Sequence, residues 1–183
     1  LTQSVDSPTL RAAVPANYRE PQGHWFGLTA RARIIVVSKD RVTPGEIEDY
    51  EDLTDPLWQG RVCTRSAKHP YMAALTASMI AAHGYAHARQ WLDGLRSNLA
   101  RRPQGNDRAQ VKAIYHGLCD VALINHYYMA KMLADPKQKS WAESVRVIFP
   151  NQSGRGTHMN VSGVALTKHA PHRSSAIALM EFL

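Results

Sequence analysis

A short apolar run that turns directly into a helical pattern is the feature that most constrains the fold. Residues 120–125 (DVALIN) are almost continuously apolar, which is typical of a strand buried on both faces. Residues 127–133 follow at once with helical spacing. Further strand-like runs occur at 33–37, 61–64, 145–149 and 161–167. Because these runs alternate with helical segments, the sequence predicts an α/β domain with a mixed, mostly parallel sheet flanked by helices.

Glycine and small polar residues predict where the helices begin and end. A helix that starts at Tyr71 is expected to end at Gly84, which is a typical C-cap residue, and a second helix follows it. Asn106 or Asp107 is expected to N-cap the next helix. Prolines interrupt any regular period over residues 1–28, so we expect this stretch to be irregular.

The composition excludes several classes of protein. A chain of 183 residues that is 44% hydrophobic can bury one substantial core. The net charge of +7 is spread along the chain, so we predict an anionic ligand or partner and no nucleic acid. The two cysteines, Cys63 and Cys119, are too few for a zinc cluster or a disulfide-rich scaffold. Two buried thiols and a disulfide between neighbouring strands both remain open.

The spacing of the histidines and of possible nucleophiles does not identify a functional site. His83 and His87 have the i,i+4 spacing of two ligands on one helical face, but Gly84 between them argues against a shared face. No set of nucleophile, base and orienting residue is recognisable. The sequence therefore predicts a protein that is not an enzyme.

Tyr127 and Tyr128 form the most informative motif. They stand at the junction between a predicted strand and a predicted helix, where α/β sheets bind ligands. A phenol is normally protonated, but a highly charged ferric ion favours phenolate, a hard oxygen donor, and displaces the proton. Adjacent aromatic residues also commonly pack against each other. The pair alone leaves both roles open.

Six segments extend the pattern beyond the tyrosine pair, in a fixed order. They are HWFGLTARARIIVVSKD at 24–40, YEDLTDPLWQGRVC at 50–63, ALTASMIAAHG at 74–84, RRPQGNDR at 101–108, CDVALINHYY at 119–128 and FPNQSGRGTHMNVSGVALTKHAP at 149–171. With these segments the chain resembles the bacterial periplasmic ferric-iron-binding proteins. Those proteins are the substrate-binding components of ABC importers and have the class II periplasmic binding fold.

The resemblance implies an iron site. The adjacent tyrosines of the family's N-x-YY motif, which bind Fe³⁺, correspond to Tyr127 and Tyr128. Some members add a third tyrosine, which corresponds to Tyr71, although the surrounding SAKHPYMAA departs from the family's Ser/Asn-rich sequence.

The resemblance also implies a synergistic anion, carbonate or phosphate, bound beside the iron. Arg31 of the GLT-x-RAR segment is the expected anion-binding arginine, with Arg33 as the weaker choice. Asn106 and Asn125 match family positions that hydrogen-bond the anion. For Asn106, a plain helix N-cap is an equal alternative.

The implied architecture has two lobes that close on the ligand, and we expect this sequence to be part of a longer protein. Residues 1–33 would be the end of the first lobe and the first hinge crossing, 34–160 an inserted second lobe with the tyrosine pair, and 161–183 the second crossing and a return helix. The whole protein would be a periplasmic monomer that delivers Fe³⁺ to an inner-membrane ABC permease. The alternative is a binding protein of the same fold for another small anionic ligand, with structural tyrosines.

Overall fold

The chain divides into two compact units. The computed structural model describes residues 1–183, and residues 1–30 with 161–183 form one unit while residues 31–160 form the other. None of the helices combines the length and the apolar character needed to cross a lipid bilayer.

Strands and helices alternate along most of the chain. The strands are β1 (Thr2–Gln3), β2 (Phe26–Ser38), β3 (Val62–Cys63), β4 (Val121–Asn125), β5 (Val145–Ile148), β6 (Met159–Val164) and β7 (Leu166–Thr167). The helices are α1 (Pro8–Ala13), α2 (Pro70–Ser97), α3 (Asp107–Tyr115), α4 (Tyr127–Leu133), α5 (Lys139–Glu143) and α6 (Arg173–Phe182). Short 3₁₀ turns cover Ala16–Tyr18, Glu51–Thr54 and Pro56–Trp58.

The larger sheet has the order β3-β4-β2-β5, and β6 also pairs with β2. The prediction of a mixed α/β sheet is confirmed, and β3, β4 and β5 point in one direction. One correction concerns the pairing. Because β2 runs against β4 and β5, those two ladders are antiparallel, whereas β3–β4 is parallel. An apolar run buried on both faces does not reveal this direction, because burial is the same either way.

Helices cover both faces of this sheet, which explains the continuous apolar runs. Successive residues of a strand point to opposite faces. Ile35 and Val37 of β2 belong to a core that contains apolar residues of α2. Ile34 and Val36 belong to a second core with residues of α3, α4 and α5. The alternating side chains of β4 divide between the same two cores.

A disulfide fixes one edge of the sheet. Cys63 of β3 is bonded to Cys119, which lies just before β4, and their Cα atoms are 5.9 Å apart. The structure therefore has the disulfide rather than two buried thiols. It joins the two strands of the parallel ladder close to where that ladder begins.

The smaller unit contains the β1–β7 ribbon, α1 and α6. The ribbon is antiparallel, with Thr2 opposite Thr167. The expectation that residues 1–28 are irregular is wrong, because α1 begins at Pro8. Ser7 caps that helix with its Oγ, which accepts a hydrogen bond from the Leu10 N–H at 3.1 Å. Proline is favourable at the first helical position, where no N–H donor is needed.

Several predicted helix ends agree with the structure. Gly84 interrupts α2 with φ 81° and ψ 167°, so the expected break is there, although the helix resumes at once. Asn106 N-caps α3, and its Oδ1 accepts from the Ala109 N–H at 3.1 Å. The bounds of α4 coincide with those predicted. The short helix α5 (Lys139–Glu143) was not predicted.

Candidate metal site

Three tyrosine side chains converge in the 31–160 unit. Tyr127 and Tyr128 are the first two residues of α4, and their rings are stacked with centroids 4.2 Å apart and planes inclined by 29°. Tyr71 is the second residue of α2. The hydroxyls of Tyr128 and Tyr71 are both hydrogen-bonding neighbours of the Tyr127 hydroxyl. All three side chains are half-buried, so three phenol oxygens meet at a place that solvent reaches.

This convergence changes the acidity of the central phenol. Burial raises the pKa of Tyr127 well above that of an ordinary phenol. The hydrogen bonds and charge interactions with Tyr128 and Tyr71 raise the pKa further. Tyr127 is therefore a neutral phenol at physiological pH, and its hydroxyl becomes a strong anionic donor only when a cation displaces the proton.

Backbone contacts fix the helix starts that carry these tyrosines. His126, between β4 and α4, is tied to β2 twice: its Nδ1 accepts from the Ala32 N–H, and its own N–H donates to the Ala32 carbonyl, both at 3.0 Å. At the start of α2, the Nδ1 of His69 accepts from the Tyr71 N–H at 3.2 Å.

Each of the three rings has a cation near it, a feature that the sequence analysis missed. The distances from the cation to the ring centroid are 5.3 Å for Arg65 and Tyr71, 5.8 Å for Arg108 and Tyr128, and 5.1 Å for Lys131 and Tyr127. Such cations are attracted to the ring face and favour negative charge nearby. The spacing of Lys131, four residues after Tyr127 in one helix, could have revealed that pair. The two arginines come from other elements and carry no such signal.

A buried ion cluster lies beside the tyrosines. Asp107 is completely buried and accepts from Arg33 at 2.8 Å, from Arg65 at 3.0 Å and from the backbone N–H of Asn125 at 2.8 Å. Arg33 also donates to the side chain of Asn125 at 3.1 Å and to the Leu123 carbonyl at 2.9 Å. The cluster thus joins the start of α3, the end of β4 and the arginine over Tyr71.

Each of the residues expected to bind an anion has its own contacts in the structure. Arg31 donates from NH1 to Asn160 Oδ1 at 3.3 Å. Arg33, the weaker choice, is buried in the ion pair with Asp107. Asn125 is fully buried, and its Nδ2 has no hydrogen-bond partner. Asn106 is exposed and serves as the cap of α3.

The chain belongs to the family of bacterial extracellular solute-binding proteins, whose sequence profile matches residues 2–183. That family comprises substrate-binding transport proteins rather than enzymes. The resemblance inferred from the sequence is confirmed by individual relatives. "Iron uptake protein A1" of Synechocystis sp. (strain ATCC 27184 / PCC 6803 / Kazusa) is 49% identical over 183 residues, covering 99% of this chain and 51% of that protein.

Solved structures give the same result. The apo ferric ion-binding protein A of Pasteurella haemolytica matches with a TM-score of 0.92 and 49% identity, over 100% of this chain and 57% of that one. A Trichodesmium protein (IdiA, FutA) in complex with iron and citrate ligands matches with a TM-score of 0.95 and 42% identity, over 99% and 58%. The chain thus spans about half the length of the relatives it matches.

Proposed function

We propose that the protein containing this chain is a periplasmic receptor that delivers Fe³⁺ to an ABC importer, and that Tyr127, Tyr128 and Tyr71 bind the iron as phenolates. The observation that carries the proposal is the convergence of three phenol oxygens at the ends of two elements. Relatives at 42–49% identity are named as iron uptake or ferric-binding proteins, and one contains bound iron.

The chemistry of the three phenols suits a ferric ion. Phenolate oxygens are hard donors, and three of them balance a 3+ charge. They fill half of an octahedral shell and leave room for other ligands. Arg65, Arg108 and Lys131 near the rings add positive charge, which favours an anion in the open positions.

We assign the open positions in part to a synergistic anion, carbonate or phosphate. Arg31, the free amide of Asn125 and the cap residue Asn106 are its proposed partners in this chain. Residues 34–160 would form the inserted lobe, with 1–33 and 161–183 as the crossings to the other lobe. The loaded receptor would be a monomer and would dock on an inner-membrane permease.

An iron titration of the intact protein tests the site. Ferric phenolate absorbs visible light by charge transfer, so the titration of wild-type protein with ferric citrate should produce colour. Tyr127→Phe, Tyr128→Phe and Tyr71→Phe should each lose much of that colour and weaken binding at least about tenfold, because each removes a ligand. Tyr85→Phe is the matched control, since Tyr85 is 69% exposed and lies outside the cluster.

The outcome also separates the alternative function. Unchanged iron binding in both the Tyr127 and the Tyr128 variant would refute the site. A protein that stays colourless after iron loading but binds a small anion through Arg31 would identify a receptor for another ligand. In that case the stacked rings, 4.2 Å apart, would serve only packing.

A further inference from the structure

A second group of metal-binding side chains lies in the 31–160 unit. Glu51, His83 and His87 each present a donor atom, and these three atoms all lie within 4.8 Å of one another. The Nε2 of His83 is 3.1 Å from Oε1 of Glu51. The tyrosine cluster shares no residue with this group.

The two histidines meet although Gly84 lies between them. The expectation that the break would separate their side chains is wrong, since the imidazole rings have centroids 4.6 Å apart. The helix resumes immediately after Gly84, so a single non-helical residue leaves both rings on one side. Glu51, from the 3₁₀ turn Glu51–Thr54, reaches the same place from outside the helix.

A positively charged group already sits between two of the donors. Arg155 donates from NH2 to Oε1 of Glu51 at 2.7 Å, and its NH1 lies 2.6 Å from Nε2 of His83. A guanidinium group has only donors, so Nε2 of His83 must present its lone pair to it. A neutral imidazole with that lone pair exposed is the form that binds metal ions. The two acceptor atoms therefore share one cation.

The spacing of these acceptors also fits a small metal ion. Zinc bonds of about 2.0–2.1 Å at a tetrahedral angle separate two ligand atoms by roughly 3.3 Å. The separation of 3.1 Å between His83 and Glu51 is close to that value. The other oxygen of Glu51 accepts from Asn151 Nδ2 at 3.0 Å, which orients the carboxylate from behind, as is usual for metal ligands.

We propose that Glu51, His83 and His87 form a binding site for a borderline divalent cation of the zinc type, which replaces the guanidinium of Arg155. Two imidazoles and one carboxylate are a donor set that zinc commonly uses, with the fourth position left to water. Ferric iron prefers oxygen donors, so the two sites differ in chemistry as well as place.

Zinc titration of the intact, iron-free protein tests this site, by calorimetry in a buffer without chelating anions. His83→Ala and His87→Ala should each weaken zinc binding at least about tenfold, because each removes a ligand. Arg155→Ala should tighten it by about tenfold, because the competing charge is gone. His116→Ala is the matched control and should change nothing, since His116 is exposed and lies outside the cluster.

Three results would overturn the proposal. They are the absence of saturable zinc binding to the wild-type protein, binding that is unchanged in both histidine variants, and weaker binding in Arg155→Ala. Iron-dependent colour measured on the same variants keeps the two sites separate, because it should be unaffected by all of them. A thermal melt of each variant shows that it is folded.

Discussion

Replacing Asp107 by Asn removes one charge from the buried cluster beside the tyrosines with almost no change in shape. The carboxylate has no exposed surface, and its partner Arg33 is 1% exposed, so neither charge reaches water. Burial lowers the pKa of Arg33, while the neighbouring Asp107 opposes that shift. An amide at position 107 can accept with only one of its two terminal atoms, whereas Asp107 accepts with both, from Arg33 and Asn125 on one and Arg65 on the other.

The size of the effect follows from this geometry. Breaking a buried ion pair by removing one partner costs about 3–5 kcal/mol, because the remaining charge is left uncompensated. A whole domain is typically stable by about 5–15 kcal/mol, so Asp107→Asn should remove a large part of the stability of the 31–160 unit. We also expect weaker iron binding in this variant, because Arg65 bridges Asp107 and the ring of Tyr71.

Urea unfolding of the intact protein, followed by tryptophan fluorescence, measures the cost. Three of the four tryptophans lie in the 31–160 unit, so the signal reports mainly on that unit. Asp93→Asn is the matched control, because Asp93 is exposed on α2 and should cost less than about 0.5 kcal/mol. Arg33→Met should partly rescue Asp107→Asn, because it removes the stranded charge. A cost below about 1 kcal/mol for Asp107→Asn, or no rescue, would refute the reasoning.

Two further predictions concern the disulfide and the protons of the proposed iron site. Replacing both Cys63 and Cys119 by Ala should lower the free energy of unfolding, measured in urea, by up to about 4 kcal/mol. The reason is that the bond closes a loop between residues that are 56 apart in the sequence. A decrease below about 1 kcal/mol would contradict this prediction. Since the pKa of Tyr127 is raised, iron must displace its proton, so iron affinity should rise with pH by about tenfold per pH unit for each phenolate formed. Competition with a chelator at several pH values gives the slope, which Tyr127→Phe should lower by about one decade per pH unit; an unchanged slope would exclude Tyr127 as a ligand.

The local sequence pattern is sufficient to predict a strand or helix whose residues all have the same environment. The strand that precedes the tyrosines was predicted as Asp120–Asn125 and is β4, Val121–Asn125, because every residue of it is buried. Direction and pairing were not visible, since a strand covered on both faces looks alike in parallel and antiparallel ladders. The sequence does not predict helix α1, because prolines interrupt any regular period over residues 1–28. Proline is nevertheless favourable at the start of a helix, and Ser7 before it is a good N-cap.

The candidate site also has features that the sequence predicts and features that only the structure reveals. The tyrosine pair was predictable because its two residues are adjacent and stand at a strand-to-helix junction. The two arginines near the rings and the three partners of Asp107 come from β2, the loop after β3, α3 and β4, which only the folded chain brings together. The sequence argues against a shared face for His83 and His87 because Gly84 interrupts the helix between them, but the actual backbone at Gly84 allows their rings to meet.

The charges around the tyrosines give a physical reason why the site can keep the same surrounding structure without metal and in the proposed iron-bound state. Without metal, the phenol of Tyr127 is neutral, and Arg65 is paired with Asp107. In the proposed loaded state, one ferric ion brings three positive charges and three phenols release three protons. Before the proposed anion is counted, the local net charge is then unchanged, and the anion makes it more negative. Arg65, Arg108 and Lys131 therefore meet no new repulsion when iron arrives. A divalent ion with the same three phenolates would leave the site one charge more negative, which these cations could balance only by moving closer. The same charge balance implies that acidification, which returns the protons, drives the iron out of the site.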